Sequence, residues 1–451
     1  MASAGRTSRT GPGTRRRAAA QVLDRPRPGA HDQLERAGAR GRRPPGGAGV
    51  NEFVETLLSL TWHEPRSSYD VVIIGGGGHG LATAYYLATR HGITNVAVVE
   101  ADYIGSGNSG RNTTIIRSNY GIPESIRFYR HSQVLYDRLE DETGCWIMHA
   151  TKGLIWLAHT ESAMRAERAR CQLNNAMGVE TVLVDPVEIK RLCPQIDLSG
   201  GGRYPVLGAS YHVPASTARH DRVVWAYAQG AMERGVHVLQ QTTVTGLLRD
   251  GDRVVGVRTN RGDIAAGTVM SAVGGDVTTI ASYAGVRLPV RTHPLQAFVT
   301  NGYSQGFGPI VSDTELLCYI SQTARGQMLI GHEYDREQSY SRQSSFQFLQ
   351  ANAVKMSYLL PFVRNLRILR QWTGRCDVSA DFSPIMGFTG VDGFVITTGW
   401  GTWGFKAIPA GGEQMAELIA TGRTPEMIAP FALDRFAADH SMADQGSTGT
   451  R

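Results

Sequence analysis

Cysteine is scarce: Cys145, Cys171, Cys193, Cys318 and Cys376 are the five in a chain of 451 residues. The number is odd and no pair has C-x-x-C spacing, which argues against a disulfide framework or a zinc site and fits a reducing cytoplasm. Long apolar runs are missing too, and none approaches the ~20 residues that span a bilayer. No motif supplies paired carboxylates or a nucleophilic triad. Basic charge is absent where it would matter most. The formal net charge of +6 comes from residues 1–50, which hold 11 Arg, no Lys and 3 acidic residues. The remainder carries 35 basic and 37 acidic residues. The body is therefore not a basic nucleic-acid-binding surface, and only the Arg-rich leader keeps that reading open, with salt-sensitive affinity as its mark.

The leader (Arg15-Arg16-Arg17, Arg42-Arg43-Pro44-Pro45-Gly46-Gly47) lacks aliphatic periodicity and cannot bury a core, so residues 1–50 are expected to be disordered. It has no apolar h-region, which excludes a secretory signal. Its Arg content suits a transit peptide, while its Pro and Gly oppose the amphipathic helix such a peptide needs. The working chain is expected to begin near Val50 or Asn51.

Glycine, at 53 residues, is plentiful, and its placement carries the argument. Tyr69-Asp70-Val71-Val72-Ile73-Ile74 reads as a strand buried on both faces. It runs into Gly75-Gly76-Gly77-Gly78-His79-Gly80 and then a helical pattern from Leu81. This is G-x-G-x-x-G between strand and helix, with Gly75 allowing the turn, Gly77 the approach of a pyrophosphate, and Gly80 the packing of helix on strand. The helix N-terminus then offers N–H groups to phosphates. A second strand, Asn95 to Val99, ends at Glu100, placed to accept ribose hydroxyls. A further Gly/polar loop, Gly105 to Asn112, suits a ligand longer than one βαβ unit covers. Later segments read as a strand at Val236–Leu239, a hairpin about Asp250-Gly251-Asp252, and a buried strand from Gly267 ending in Gly274-Gly275. The whole predicts an α/β protein. It has a two-dinucleotide-binding-type FAD domain, Rossmann-like with a parallel sheet and a β-meander, and an α+β antiparallel-sheet substrate domain.

Far downstream lies Thr397-Thr398-Gly399-Trp400-Gly401-Thr402-Trp403-Gly404-Phe405-Lys406. Gly399, Gly401 and Gly404 let backbone reach a flavin ring, and the helix from about Ile408 points its positive end at it. Lys406 adds a full charge where negative charge appears on reduction. The rival reading makes Lys406 a solvated surface lysine and Trp400 and Trp403 core aromatics.

The blocks DVVIIGGGGHGLATAYYLA, RNTTIIRSNY, TARHD and GWGTWGFKAIPAGGE together resemble the beta subunits of heterotetrameric sarcosine oxidases, within the D-amino-acid-oxidase-like (DAO) flavoproteins, over roughly residues 69–435. The resemblance implies non-covalent FAD contacted by Gly78, His79, Glu100, Asn108, Arg111, Thr113, Ile115, Val244, Gly401, Gly404 and Lys406. It implies an FMN attached covalently to His220 and shared with an alpha subunit, with gamma and delta subunits completing the assembly and tetrahydrofolate and NAD on the partner. The implied reaction is oxidative demethylation of sarcosine by oxygen to glycine and hydrogen peroxide, with the one-carbon unit passed to tetrahydrofolate. From its surroundings alone, His220 reads as a structural or solvated first-turn histidine, although a neutral imidazole can attack an activated flavin methyl group. Arg117 suits a substrate carboxylate as a planar bidentate cation, or else pairs with a local acid. With Lys406 it is the expected catalytic pair.

The expected organisation is a discontinuous FAD domain (69–145, 216–285, 373–430), a substrate and interface domain (146–215, 286–372) and a flexible tail (436–451). Tyr319 and His332 are pocket-lining positions that the resemblance does not match. Two rival functions stay open: a related FAD-dependent dehydrogenase subunit acting on proline, an opine or N-methylated glycines, and a non-catalytic flavin-binding assembly subunit. Neither nucleic acid nor a membrane is an expected partner.

Overall fold

The computed structural model describes residues 63–438 except 314, together with 440 and 442. The leader 1–50 and most of the tail lie outside these residues.

The first sheet forms around Ser68–Ile74, which runs parallel to Val96–Val99 on one side and to Gly262–Ser271 on the other. His237–Leu239 extends it beyond Val96–Val99, and Phe394–Thr398 lies parallel to the last residues of Gly262–Ser271. The near-continuous apolar run follows from burial on both faces. Val71, Ile73, Val96 and Val98 point into one cluster with Leu81, Tyr85 and Tyr227. Val72, Ile74, Ala97 and Val99 point into the opposite cluster with Val257, Ile280 and Phe394. Val244–Asp250 and Arg253–Thr259 form the hairpin expected about Gly251 and continue antiparallel into Gly262–Ser271, giving the β-meander.

The second sheet has eight strands, in the spatial order 368–379, 290–302, 327–332, 318–322, 310–313, 154–158, 208–212 and 181–184. It is antiparallel apart from the pair Ile310–Asp313 with Leu154–Ala158. Cys318–Gln322 and Gln327–His332 pair antiparallel within it. A small third sheet ties Ile115–Ile116 and Ala150–Thr151 to Ser216–Thr217.

Three helices cover one face of the first sheet. Gly78–Arg90 lies against both His220–Met232 and the closing helix Ile408–Thr421. The approach to the closing helix is close because both helices present small residues. A β-carbon on Gly412 would stand 2.4 Å from the Ala82 Cβ. The long helix Pro123–Thr143 starts with proline in its first turn and stops at Gly144, whose φ of +67° suits glycine. It grips the start of the closing helix, Ser132 Oγ donating to Lys406 O at 2.6 Å and Tyr136 OH to Phe405 O at 2.6 Å.

Within the expected tail, Met442 is held in place: its N–H donates to Asp381 Oδ2 at 2.9 Å and its carbonyl accepts from Ser383 Oγ at 3.0 Å. Asp381 is also the buried partner of Arg435. No helix among the described residues is long and apolar enough to cross a membrane.

Gly412→Val should lower stability by about 3 kcal/mol or prevent folding, since the two backbones cannot separate without opening the core. Urea unfolding followed by circular dichroism measures this.

Candidate active site

The glycine turn owes its shape to contacts that forbid side chains. Gly75 has φ of +111° and a β-carbon there would sit 2.5 Å from Ala272 O. One on Gly80 would sit 2.1 Å from Gly75 O, so the third glycine of the motif seats the helix on the strand. The helix begins after Gly77, which has no side chain to cap it, and carries no acid in its first turn. Its positive end favours an anion. The Gly78 N–H donates to Ser109 Oγ at 2.9 Å, which brings in the second Gly/polar loop. At the end of the next strand, Glu100 accepts from Gly76 N (2.8 Å), Asp102 N (2.9 Å) and Ser106 Oγ (3.1 Å).

The closing turn meets the glycine turn directly. His79 Nε2 bonds Gly404 O at 2.9 Å, and its ring stacks on Trp400 with centroids 4.2 Å apart. A β-carbon on Gly78 would collide with the Ile408 side chain, at 2.2 Å from Cδ1. Asp377 fixes the closing turn from the other side: its Oδ2 accepts from Thr398 Oγ1 (3.0 Å), Gly399 N (2.8 Å) and Trp400 N (3.2 Å). Burial lowers the His79 pKa to about 4 against the opposing bond to Gly404, so the ring is neutral near pH 7.

Lys406, one of four lysines in the chain, is buried, which rules out the solvated-surface reading. Its Nζ donates to Thr402 O at 3.3 Å. Burial first, and then the positive charge of Arg117, hold its pKa well below the ordinary lysine range. Arg117 is also buried; it donates from one nitrogen to Asn119 O (3.1 Å) and Oδ1 (3.0 Å), and its guanidinium lies over Tyr120 and Trp156. The Arg117 guanidinium and the Lys406 amine thus face one cavity.

That cavity encloses about 450 Å³. Gly75, Gly77, Gly78, His79, Glu100 and Val244 line it. So do Asn108, Arg111, Thr113 and Ile115 from the second Gly/polar loop and the short strand after it. Arg117, Gly401, Gly404 and Lys406 complete the lining. Gly80 packs beneath the turn instead, and His220 is not among the lining residues. Trp400 lines the cavity as well as joining the core, whereas Trp403 is a core residue against Tyr120 and Tyr129.

Tyr319 and His332 both reach this cavity. Tyr319 accepts from Thr113 Oγ1 at 3.0 Å, lying where a β-carbon on Gly331 would be. His332 faces Lys355 Nζ at 2.6 Å, and burial and then that lysine lower its pKa to about 4. Trp156 and Asp377 are further lining residues that sequence reading did not single out. Trp156 sits mid-strand in a fully buried run, and Asp377 lies on a strand more than twenty residues from the turn it holds; neither leaves a local signal.

The model for FAD-dependent oxidoreductases (DAO) matches residues 70–418. The chain belongs to this FAD-dependent oxidoreductase family. A sarcosine oxidase subunit beta from an Arthrobacter species is 40% identical over 384 residues, covering 85% of this chain and 95% of that protein. One from Rhodobacter capsulatus is 42% identical over 373 residues, covering 83% and 90%. Among solved structures, L-proline dehydrogenase from P. horikoshii matches with a TM-score of 0.78 at 29% identity, over 83% of this chain and 99% of that one. Glycine oxidase from Geobacillus kaustophilus, at 22% identity and a TM-score of 0.74 over 82% and 99%, shares the fold.

The residues fit the family's FAD. The uncapped helix N-terminus suits its diphosphate, the Glu100 end its ribose, and the bare backbone at Gly401 and Gly404 with Lys406 its ring system.

A buried neutral histidine predicts acid sensitivity. The unfolded chain takes up the proton near pH 6.5 and folded His79 only near 4. Its contribution is therefore intact above pH 6.5 and is lost as the pH falls toward 4, by roughly 3 kcal/mol. His212 and His332, lowered to about 3 and about 4, have the same sign. Comparing unfolding of flavin-free wild type and His79→Gln at pH 7.5 and 4.5 should show the difference moving toward the variant by about that amount. A constant difference refutes the assignment.

Proposed function

We propose that this protein is the beta subunit of a multisubunit sarcosine oxidase and oxidises sarcosine to glycine at its FAD. The observation that carries the reading is the pairing of Arg117 and Lys406 in one buried cavity, on a chain about 40% identical to sarcosine oxidase beta subunits. When bound, FAD supplies the two-electron acceptor for a C–H bond next to an amine.

The chain's own residues do the remaining work. Arg117 is held flat between aromatic rings and presents a fixed fork to the substrate carboxylate. Lys406 is discouraged from carrying charge by burial and by Arg117. An arriving carboxylate opposes that effect and favours the charged lysine, which then stands beside the negative charge that develops in the reaction. Tyr319, His332 and Trp156 also line the cavity. Oxidation of an amine in this way needs no nucleophile and no paired carboxylates, and the site contains neither arrangement.

The finer assembly belongs to the same proposal: an alpha subunit, gamma and delta subunits, oxygen as acceptor, tetrahydrofolate and NAD on a partner, and an FMN covalently held by His220. His220 opens the helix His220–Met232, its Nδ1 is buried without a hydrogen-bond partner, and burial lowers its pKa. A neutral ring nitrogen with no competing bond is the form that attacks an activated flavin methyl group. Its position off the FAD cavity agrees with a second flavin. All five cysteines are free, which supports a cytoplasmic setting.

A second reading, a dehydrogenase for proline or a related secondary amino acid, draws on the L-proline dehydrogenase match at 29% identity. It shares the carboxylate grip and differs only in the amine's bulk.

Anaerobic addition of sarcosine to the co-expressed, flavin-loaded protein should bleach the flavin spectrum, and faster than proline does. No bleaching by any secondary amino acid overturns the reading. Arg117→Met should raise the KM for sarcosine about 10- to 100-fold, the loss of a charged hydrogen-bonded partner. An unchanged KM removes Arg117 from the site. For His220, a denaturing gel of the complex should show a fluorescent flavin band that His220→Ala abolishes while FAD still bleaches.

A further inference from the structure

Asp377 lies on the strand Ile368–Ser379, lines the cavity and is 2% exposed. One oxygen, Oδ2, collects Thr398 Oγ1, Gly399 N and Trp400 N, and the residue's own carbonyl accepts from Gly401 N at 2.8 Å. None of those donors goes to Oδ1. That oxygen is 3.9 Å from the point where a β-carbon on Gly274, another lining residue, would lie. Among the described residues Asp377 has no ion-pair partner.

The groups around it explain why. Arg375, two residues back on the strand, is taken by Asp276 at 2.6 Å. Cys376 beside it is a buried thiol pushed well above its ordinary pKa. Arg111, from the short 3-10 turn Ser109–Arg111, donates from one nitrogen to the Ser106 and Gly107 carbonyls. Asn108 is occupied by the Arg375 backbone. On the glycine turn, His79 is neutral, and on the closing turn burial and then Arg117 lower the pKa of Lys406. Three donors favour the Asp377 carboxylate, but burial outweighs them and raises its pKa to about 6. A further negative charge in the same cavity raises it again.

We propose that Asp377 is a charge-compensating residue of the cofactor cavity: it fixes the closing turn as a carboxylate and takes a proton from solvent when the cofactor is reduced. This rests on reading the cavity as a flavin site. In the oxidation, a C–H bond of the substrate breaks, its hydrogen leaves with the bonding pair as a hydride equivalent to the cofactor, and the amine lone pair forms the C=N bond. The two electrons thus enter the cofactor. The negative charge that they bring is balanced by one solvent proton, which converts Asp377 from carboxylate to carboxylic acid.

The test uses the co-expressed, flavin-loaded protein reduced by dithionite in a redox titration, independent of any amine substrate. Asp377→Asn keeps an acceptor for the turn but cannot titrate. One proton taken up per two electrons changes a midpoint potential by about 30 mV per tenfold change in proton concentration. Above pH 6, the wild-type potential should therefore fall with pH more steeply than that of Asp377→Asn, by that amount per pH unit. Asp377→Glu should restore the steeper slope. Direct proton uptake on reduction at pH 7, read with an indicator dye in weak buffer, should be one proton greater in wild type. Equal slopes and equal uptake overturn the inference while leaving the flavin site standing. Should Asp377→Asn fail to retain flavin, the wild-type titration decides alone: no steeper segment above pH 6 overturns it. A wild-type protein that takes up no flavin overturns the cavity reading and this inference together.

Discussion

The structure depends on a junction of bare backbone. Residues 75–80 and 399–412 are more than three hundred positions apart, yet a histidine of the first bonds a carbonyl of the second, and Ile408 occupies the space a side chain on Gly78 would need. Gly412 lets the closing helix lie against Ala82. Each contact is a place where a methyl group does not fit. The cavity exists because these turns meet without filling the space between them.

From that junction the electrostatics follow. A region enclosed by two helices and two sheets is poorly solvated, so ionisable groups in it are driven toward their neutral forms unless a partner opposes this. His79 and His332 are lowered, Lys406 is lowered, and Asp377 is raised. The site is thus prepared for ligands that bring charge of their own. An anion bound among these groups opposes the lowering at Lys406 and adds to the raising at Asp377.

The second sheet contributes shape more than charge. Leu154–Ala158 carries Trp156 beneath Arg117, and Cys318–Gln322 carries Tyr319 across Gly331 to Thr113. These contacts place residues of the second sheet in the same cavity as the glycine turn and the segment that follows Asn108.

The first βαβ unit was legible in the sequence because its signals are local: a doubly buried strand, three glycines at fixed offsets and an acid at the next strand end all lie within about thirty residues. The hairpin about Gly251 was legible for the same reason. Lys406 and Arg117 were legible as chemistry without a place. That both are buried and lie close enough for one to hold down the charge of the other is a property of the packed core alone. Asp377 and Trp156 had no sequence signal, because a carboxylate among alternating strand residues and a tryptophan in an apolar run look the same whether they face a cofactor or fill a core. Sequence spacing decides which backbone can turn and bind phosphate; only the folded chain decides which charges lose their water, and that loss gives the site its chemistry.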